Sequence, residues 1–320
     1  MKKPAFWDKK GTVWERLLNP LGRLYAYSVR RRFERSLPYQ PVVPVICVGN
    51  IAVGGTGKTP VCLALGEWFQ RHGYRVVFLN HGYKSRLQNI VVDRARHTAR
   101  DVSDEALLLA GQAPTVVDRN RGRGVATAEK MGADVIIMDD GFQNPSVIKT
   151  LSLLVFDGAK GIGNGACLPA GPLREPLAQG LKRADGVVMV GADQTKLTEQ
   201  IQKIAPQMPV LSGVLKPVQL MQNPVSRAIA FAGIGRPEKF FNMLRSYGVS
   251  LDATYVFDDH HAYQASDLTP ILAYDGPILT TTKDAVKLEP AALEKITVVT
   301  APFVFENEPA WDAFLKKGIQ

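Results

Sequence analysis

Val45-Ile46-Cys47-Val48-Gly49-Asn50-Ile51-Ala52-Val53-Gly54-Gly55-Thr56-Gly57-Lys58-Thr59-Pro60 carries the most informative pattern in the chain. A short apolar run reads as a buried strand, a glycine-rich turn follows, and Lys58-Thr59 opens a helix. Glycines let backbone N–H groups converge on an anion, the helix N-terminus adds its positive dipole end, and the lysine reaches the outer phosphates. Thr59 supplies a hydroxyl suited to Mg²⁺. The pattern departs from G-x-x-x-x-G-K-[ST] at its first glycine, which here is Ala52. A glycine-rich turn alone is usually only a turn. With Gly-Lys-Thr at a strand's end, nucleotide binding is the reading, and Ala52, Val53, Gly54, Gly55, Thr56, Gly57, Lys58 and Thr59 are its candidate contacts.

Outward from that loop, strand-like runs alternate with amphipathic stretches. Residues 61–72 read as a helix closed by Gly73, and 75–79 as a strand ending in Asn80-His81-Gly82-Tyr83-Lys84. Polar residues just past a strand's C-terminus lie where open α/β sheets hold ligands. Helices are expected at 104–110 and 122–132, and strands at 115–119, 151–156 and 186–191. A proline-rich stretch, 205–227, reads as a linker ribbon. A second run of alternating elements then starts at Ala228 and has its last strand at 296–300. The expected fold class is α/β: a P-loop domain with a mostly parallel sheet over 41–204, and a smaller C-terminal α/β domain over 228–320.

Val135-Ile136-Ile137-Met138-Asp139-Asp140-Gly141-Phe142-Gln143 is the second informative stretch. Four apolar residues ending in two aspartates form a Walker-B-like strand end, where a carboxylate holds Mg²⁺ directly or through water. Asp258-Asp259-His260-His261 lacks zinc-ligand spacing, so a histidine tuned by a carboxylate is the functional reading and a polar turn the alternative. Phosphoryl transfer needs a phosphate cradle, a divalent ion, positive charge and a group that deprotonates the nucleophile. Lys58, Thr59 and the aspartate pair cover the first three, and Asp104 or His260 the last.

The three cysteines are scattered, odd in number and without metal spacing, which points to a reducing compartment. The net charge of +9 is unevenly placed: residues 1–40 hold ten basic against three acidic side chains, leaving +2 for the remaining 280 residues. Within this arm, Trp14, Leu17, Leu18, Leu21, Leu24 and Tyr25 follow helical spacing despite Pro20. No run reaches the ~20 apolar residues that a membrane span needs. A basic amphipathic segment carrying tryptophan suits an anionic headgroup layer; a helix packed on the domain is the other reading. Nucleic acid is not expected, because no recognition module accompanies the charge.

Several motifs together resemble one family, the tetraacyldisaccharide 4′-kinases of lipid A synthesis. They are Val48-Gly-Asn-Ile-Ala-Val-Gly-Gly-Thr-Gly-Lys-Thr-Pro60, Asp104-Glu105, Asp139-Asp-Gly-Phe-Gln143, Pro169-Ala-Gly-Pro-Leu-Arg-Glu-Pro176, Asp259-His260 and Thr282-Lys-Asp-Ala-Val-Lys-Leu288. Proline after Gly-Lys-Thr, together with the Pro-Ala-Gly-Pro-Leu-Arg-Glu-Pro block, is far more specific than a phosphate loop alone. The resemblance implies transfer of the ATP γ-phosphate to the 4′-hydroxyl of a tetraacylated glucosamine disaccharide 1-phosphate, with Mg²⁺. It also implies an enzyme, expected to be a monomer, at the cytoplasmic face of a Gram-negative inner membrane. The 1–40 arm would meet the bilayer, and the smaller domain would close through the short linker.

Carried over by position, the resemblance makes Asp104 the general base with His260 assisting, and Lys58 the group that neutralises the phosphates. Thr59, Glu105, Asp139 and Asp140 would organise Mg²⁺ and its waters. Arg174 and Glu175 would lie near the nucleotide or the substrate headgroup. Two departures bear on headgroup contacts: Asn144 stands where the family usually has histidine, and Asn80-His81-Gly82-Tyr83-Lys84 replaces Ser-Arg-Gly-Tyr-Gly. His81, largely neutral at pH 7, replaces an arginine only in part. The alternatives from other classes are a membrane-associated P-loop nucleotide switch, or a soluble kinase of a small metabolite. The partitioning ATPases that resemble this loop carry a signature lysine where this chain has Val53.

Overall fold

A computed structural model describes residues 4–319; Lys2 and Lys3 of the basic arm lie outside the described residues. The strands are β1 (Val45–Gly49), β2 (Val76–Asn80), β3 (Ile90–Val91), β4 (Thr115–Val117), β5 (Val135–Asp139), β6 (Leu151–Asp157), β7 (Gly186–Val190), β8 (Val210–Leu215), β9 (Arg227–Ala232), β10 (Ser250–Val256), β11 (Ile278–Thr281), β12 (Ile296–Val299) and β13 (Phe303–Phe305). By contacts the chain forms two units. The first comprises 1–81, 118–215 and 303–320; the second comprises 82–117 and 216–302. The sequence reading laid its domains end to end. Strand–helix alternation carries no mark of which sheet a strand joins, so this interleaving is invisible to it.

In the first unit the strand order is β13-β8-β7-β6-β1-β5-β2. All neighbours are parallel except β13 against β8. Cys47 of β1 stands opposite Met138 of β5 on one side and Ser152 of β6 on the other. Every residue of β1, β2, β5, β6 and β7 is buried, which is why these strands read as apolar runs and not as alternations. The mostly parallel α/β fold expected from the pattern is present.

Two expectations are corrected. Residues 210–215, taken as part of a ribbon linker, form β8, parallel to β7; Pro206, Pro209 and Pro217 flank this strand and remove no ladder bond inside it. The chain also does not end its sheets at β12. Phe303–Phe305 pairs antiparallel with β8, and the helix Glu308–Gly318 follows. Trp311 on that helix is fully buried, stacks on Phe305 at 4.5 Å and donates its Nε1–H to Ser212 O at 2.9 Å. A three-residue strand is too short to show a period.

The second unit holds a parallel sheet in the order β10-β9-β11-β12 and an antiparallel pair, β3 with β4. The edge strand β10 alternates exposed and partly buried residues, while the interior strand β11 is buried throughout. Phe231, Phe241, Leu244 and Ile271 are at most 2% exposed in its core.

After a short 3-10 helix, Ala5–Asp8, the arm forms the α-helix Val13–Glu34, with Thr12 Oγ1 accepting the Glu15 N–H as its cap. Its buried residues are the small ones, Gly22, Ala26 and Val29. A Cβ on Gly22 would come 2.8 Å from Cys167 O, so the helix sits close to that loop. The large apolar residues face outward: Trp14, Leu17 and Leu24 are each more than 60% exposed. Among the described residues no helix is long and apolar enough to cross a membrane.

Candidate active site

In the first unit the loop after β1 leads into the helix Lys58–Arg71. Gly57, at its N-cap, has φ +92° and no side chain to cap the first turn, so those N–H groups stay available to an anion. Pro60 lies in that first turn, where a missing N–H costs no intrahelical bond. The loop is braced by Asn50 Nδ2, which donates to Thr56 Oγ1 at 3.0 Å.

Ala52 now has a physical explanation. It bridges Leu173 antiparallel, Val53 N–H donates to Pro172 O at 2.9 Å, and Arg174 N–H donates to Ile51 O at 2.6 Å. Residues 51–53 are a strand-like edge laid along the 172–174 segment, and Ala52 does not have the positive φ that would call for glycine. The Pro-Ala-Gly-Pro-Leu-Arg-Glu-Pro block thus buttresses the phosphate loop.

β5 ends at Asp139, which is 3% exposed; Asp140 follows in the left-handed region at φ +54°. Thr59 Oγ1 donates to Asp139 Oδ2 at 3.1 Å, and Asn80 Nδ2 reaches the same oxygen at 3.3 Å. Lys58 Nζ lies 3.7 Å from Asp140 Oδ2, and Arg174 Nη1 lies 3.7 Å from Asp140 Oδ1. Burial pushes the Asp139 carboxyl above its ordinary value despite Lys58. Burial acts on Asp140 the same way, but Lys58, Arg174 and Arg121 more than offset it and hold that carboxyl low. Asp139 Oδ1 and Asp140 Oδ1 are buried without a hydrogen-bond partner. Two such oxygens beside a threonine hydroxyl are the hard donor set that Mg²⁺ takes, so these residues fit the ion.

Glu175 has no exposure and is held by Arg183 Nη2 at 2.7 Å and Gln143 Nε2 at 3.1 Å. The Arg183 guanidinium lies over Phe33 at 3.9 Å and Phe142 at 4.9 Å. Glu175 is therefore engaged in an internal ion pair, whereas Arg174 faces Asp140. Asn144 Oδ1 accepts the Ser146 N–H at 2.8 Å and its hydroxyl at 2.6 Å, so this side chain closes its own turn. His81 sits where partial desolvation, then Arg121 and Arg119, push its pKa below the ordinary value, so it carries no charge near neutral pH. Neither departure supplies a cation.

The second unit brings Asp104, Glu105, Asp259, His260 and Lys283 together. Asp104 opens the helix Asp104–Leu109 behind Ser103, whose Oγ accepts the Ala106 N–H at 3.3 Å. Asp104 is 2% exposed, and His260 Nδ1 lies 3.0 Å from each of its oxygens. His260 is itself at φ +63°, a costly conformation that clusters at functional sites. Burial alone would raise the Asp104 pKa, but the His260 hydrogen bond, then Glu105 and Lys283, hold it well below the carboxylate range. The Asp104 bond in turn raises the His260 pKa. Burial, then the contact with Asp104, pushes Glu105 up to about 7.

Asp104, Glu105 and His260 offer ligand atoms within 4.8 Å of one another. Lys283 Nζ nevertheless lies 2.8 Å from Glu105 Oε1 and 3.5 Å from Asp104 Oδ2, so an ammonium stands beside the two carboxylates. Glu105, implied as an Mg²⁺ organiser, has this lysine as its partner. Gln143, Arg183 and Lys283 have no role that the sequence alone assigns. Gln143 and Lys283 lay inside the quoted motifs; Arg183 carries no local signal.

The family model described as LpxK, tetraacyldisaccharide-1-P 4′-kinase, matches residues 14–320. The chain is 46% identical over 319 residues to the tetraacyldisaccharide 4′-kinase of Paramagnetospirillum magneticum, covering 98% of this chain and 95% of the relative. It is 43% identical over 326 residues to that of Rhodospirillum rubrum, covering 100% and 98%. A crystal structure of LpxK from Aquifex aeolicus in complex with ATP superposes with a TM-score of 0.76 at 26% identity, over 96% of this chain and 99% of that one.

Proposed function

This chain belongs to the tetraacyldisaccharide-1-P 4′-kinase family, and we propose that it transfers the γ-phosphate of ATP to the 4′-hydroxyl of a tetraacylated disaccharide 1-phosphate. The observation that carries the chemistry is Asp104. It is a buried carboxylate kept charged by His260, and it suits the task of taking a proton from a sugar hydroxyl as that oxygen attacks phosphorus. His260, hydrogen-bonded to the same carboxylate, holds it charged and oriented ahead of that transfer.

The phosphate end of the reaction belongs to the first unit. The loop from Gly54 to Gly57 and the first turn at Lys58 offer backbone N–H groups to the phosphates, and Lys58 and Arg174 bring positive charge. Thr59, Asp139 and Asp140 would hold Mg²⁺, which spreads the charge of the transferring group when bound. We read the outward apolar face of the Val13–Glu34 helix, with Arg16, Arg23, Arg30 and Arg31 around it, as a surface for an anionic bilayer in which an acylated acceptor resides.

Incubating the protein with γ-labelled ATP, Mg²⁺ and the acylated disaccharide 1-phosphate tests this reading. Label is expected in the lipid. Release of free phosphate with no labelled lipid would move the chain to the nucleotide-switch class.

A further inference from the structure

Lys283 is the cationic side chain of the Asp104 cluster, and the proposed reaction gives it no role. It follows β11 on the short helix Thr282–Ala285, whose N-cap Thr281 accepts the Asp284 N–H. Asp284 is fully buried and locked: it accepts from Gly233 N–H at 3.0 Å, Tyr263 Oη at 2.9 Å and Thr281 Oγ1 at 2.7 Å, and pairs with Lys287 at 2.8 Å. That neighbour fixes the backbone from which Lys283 projects. The Lys283 ammonium then reaches three carboxylates: Glu105 Oε1 at 2.8 Å, Asp104 Oδ2 at 3.5 Å and Asp259 Oδ1 at 3.6 Å.

Three carboxylates around one point repel one another unless a cation stands among them. His260 meets Asp104 and Asp259 from one side; the cation that reaches all three is either a divalent ion or an ammonium, and this chain supplies the ammonium. We propose that Lys283 is a positioning residue for phosphoryl transfer: set among Asp104, Glu105 and Asp259, it keeps the Asp104 carboxylate charged and aimed, and takes the place a metal ion would have in this cluster. The proposal rests on the reading of Asp104 as the base. It separates the two halves of the reaction by their counter-ions, with metal at the Asp139-Asp140 end and lysine at the Asp104 end.

Lys283→Met removes the charge and keeps most of the stem; Lys283→Gln is a second variant with a polar end, and Lys283→Arg restores a cation. With thermal melts to establish folding, Lys283→Met is expected to lower kcat for lipid phosphorylation about 100-fold, the low end of what acid–base catalysis supplies. The KM for ATP should stay within about twofold, and Lys283→Arg should recover kcat to within about tenfold of the parent.

A second readout needs no acceptor: the NMR titration of the His260 imidazole. The groups facing that ring are Asp104 and Glu105 from their helix, Asp259 beside it, Lys283, and the Tyr83 ring at 5.7 Å. Removing the lysine should move the His260 midpoint to higher pH, and arginine should return it. A Lys283→Met kcat within threefold of the parent overturns the proposal, as does an unmoved His260 midpoint. If the parent itself labels no lipid, the functional reading fails, and the His260 titration still decides whether Lys283 governs the cluster.

Discussion

The two polar clusters of this molecule are built on opposite plans. At the end of β5 in the first unit, Asp139 and Asp140 each keep one buried oxygen without a hydrogen-bond partner, while Thr59 bonds Asp139 and Lys58 lies 3.7 Å from Asp140. In the second unit, Asp104 is saturated from within the protein: both its oxygens meet His260, and Lys283 lies at 3.5 Å. Orphaned buried carboxylate oxygens cost free energy unless something binds them, so the first cluster is arranged for an incoming cation. The second carries its own. What differs is the supply of partners: one site leaves carboxylate oxygens unpartnered, the other fills them from its own chain.

Lys58→Ala should separate the two clusters most strongly. It should lower lipid phosphorylation by about 10³-fold or more and weaken ATP binding with it, since the lysine serves phosphate binding and charge stabilisation together. Asp104→Asn should cost kcat a similar or slightly smaller factor, within the roughly 10²–10⁴ of general base catalysis, while ATP affinity measured by calorimetry stays within threefold. An Asp104→Asn enzyme with normal turnover would remove Asp104 as the base. Equal losses of ATP affinity in both variants would erase the distinction between the clusters.

Arg183→Ala strips the partner from the fully buried Glu175 and should destabilise the protein by about 3 kcal/mol in urea unfolding, as breaking buried pairs does. Its effect should fall on folding and not on the chemistry of the Asp104 cluster. Glu105 offers a pH test. Its folded pKa is raised to about 7, so between the unfolded carboxyl value near 4.5 and pH 7 the folded state binds the extra proton. Its contribution is thus fullest at low pH and is lost as pH rises through that window. Glu105→Gln should flatten this decline in unfolding free energy, and an unchanged slope would show that Glu105 does not hold the proton.

Much of the candidate site was legible because its residues are local motifs. Gly57-Lys58-Thr59 and Asp139-Asp140 each sit at the end of an apolar run, and strand ends are where parallel sheets expose side chains. Asp104 and His260 were named from motif resemblance, yet their 3.0 Å contact joins residues 156 positions apart, which no spacing expresses. Asn144 and His81 show the opposite limit. Their identities were noted as departures, but the Ser146 turn that occupies Asn144 and the desolvation that keeps His81 neutral are properties of folded surroundings.

The α/β class, the phosphate loop and the strand-end aspartates are written in local stretches of the chain, because hydrophobic period and turn chemistry survive without tertiary context. Tertiary structure alone decided the rest. It put 82–117 with 216–302 and returned 303–320 to the first unit, turned the large side chains of the N-terminal helix outward, and laid residues 172–174 along Ala52. It also set Lys283 among three carboxylates. Each of these depends on which distant segments meet. That is decided by the packing of whole elements, whose free energy no single stretch of the chain contains.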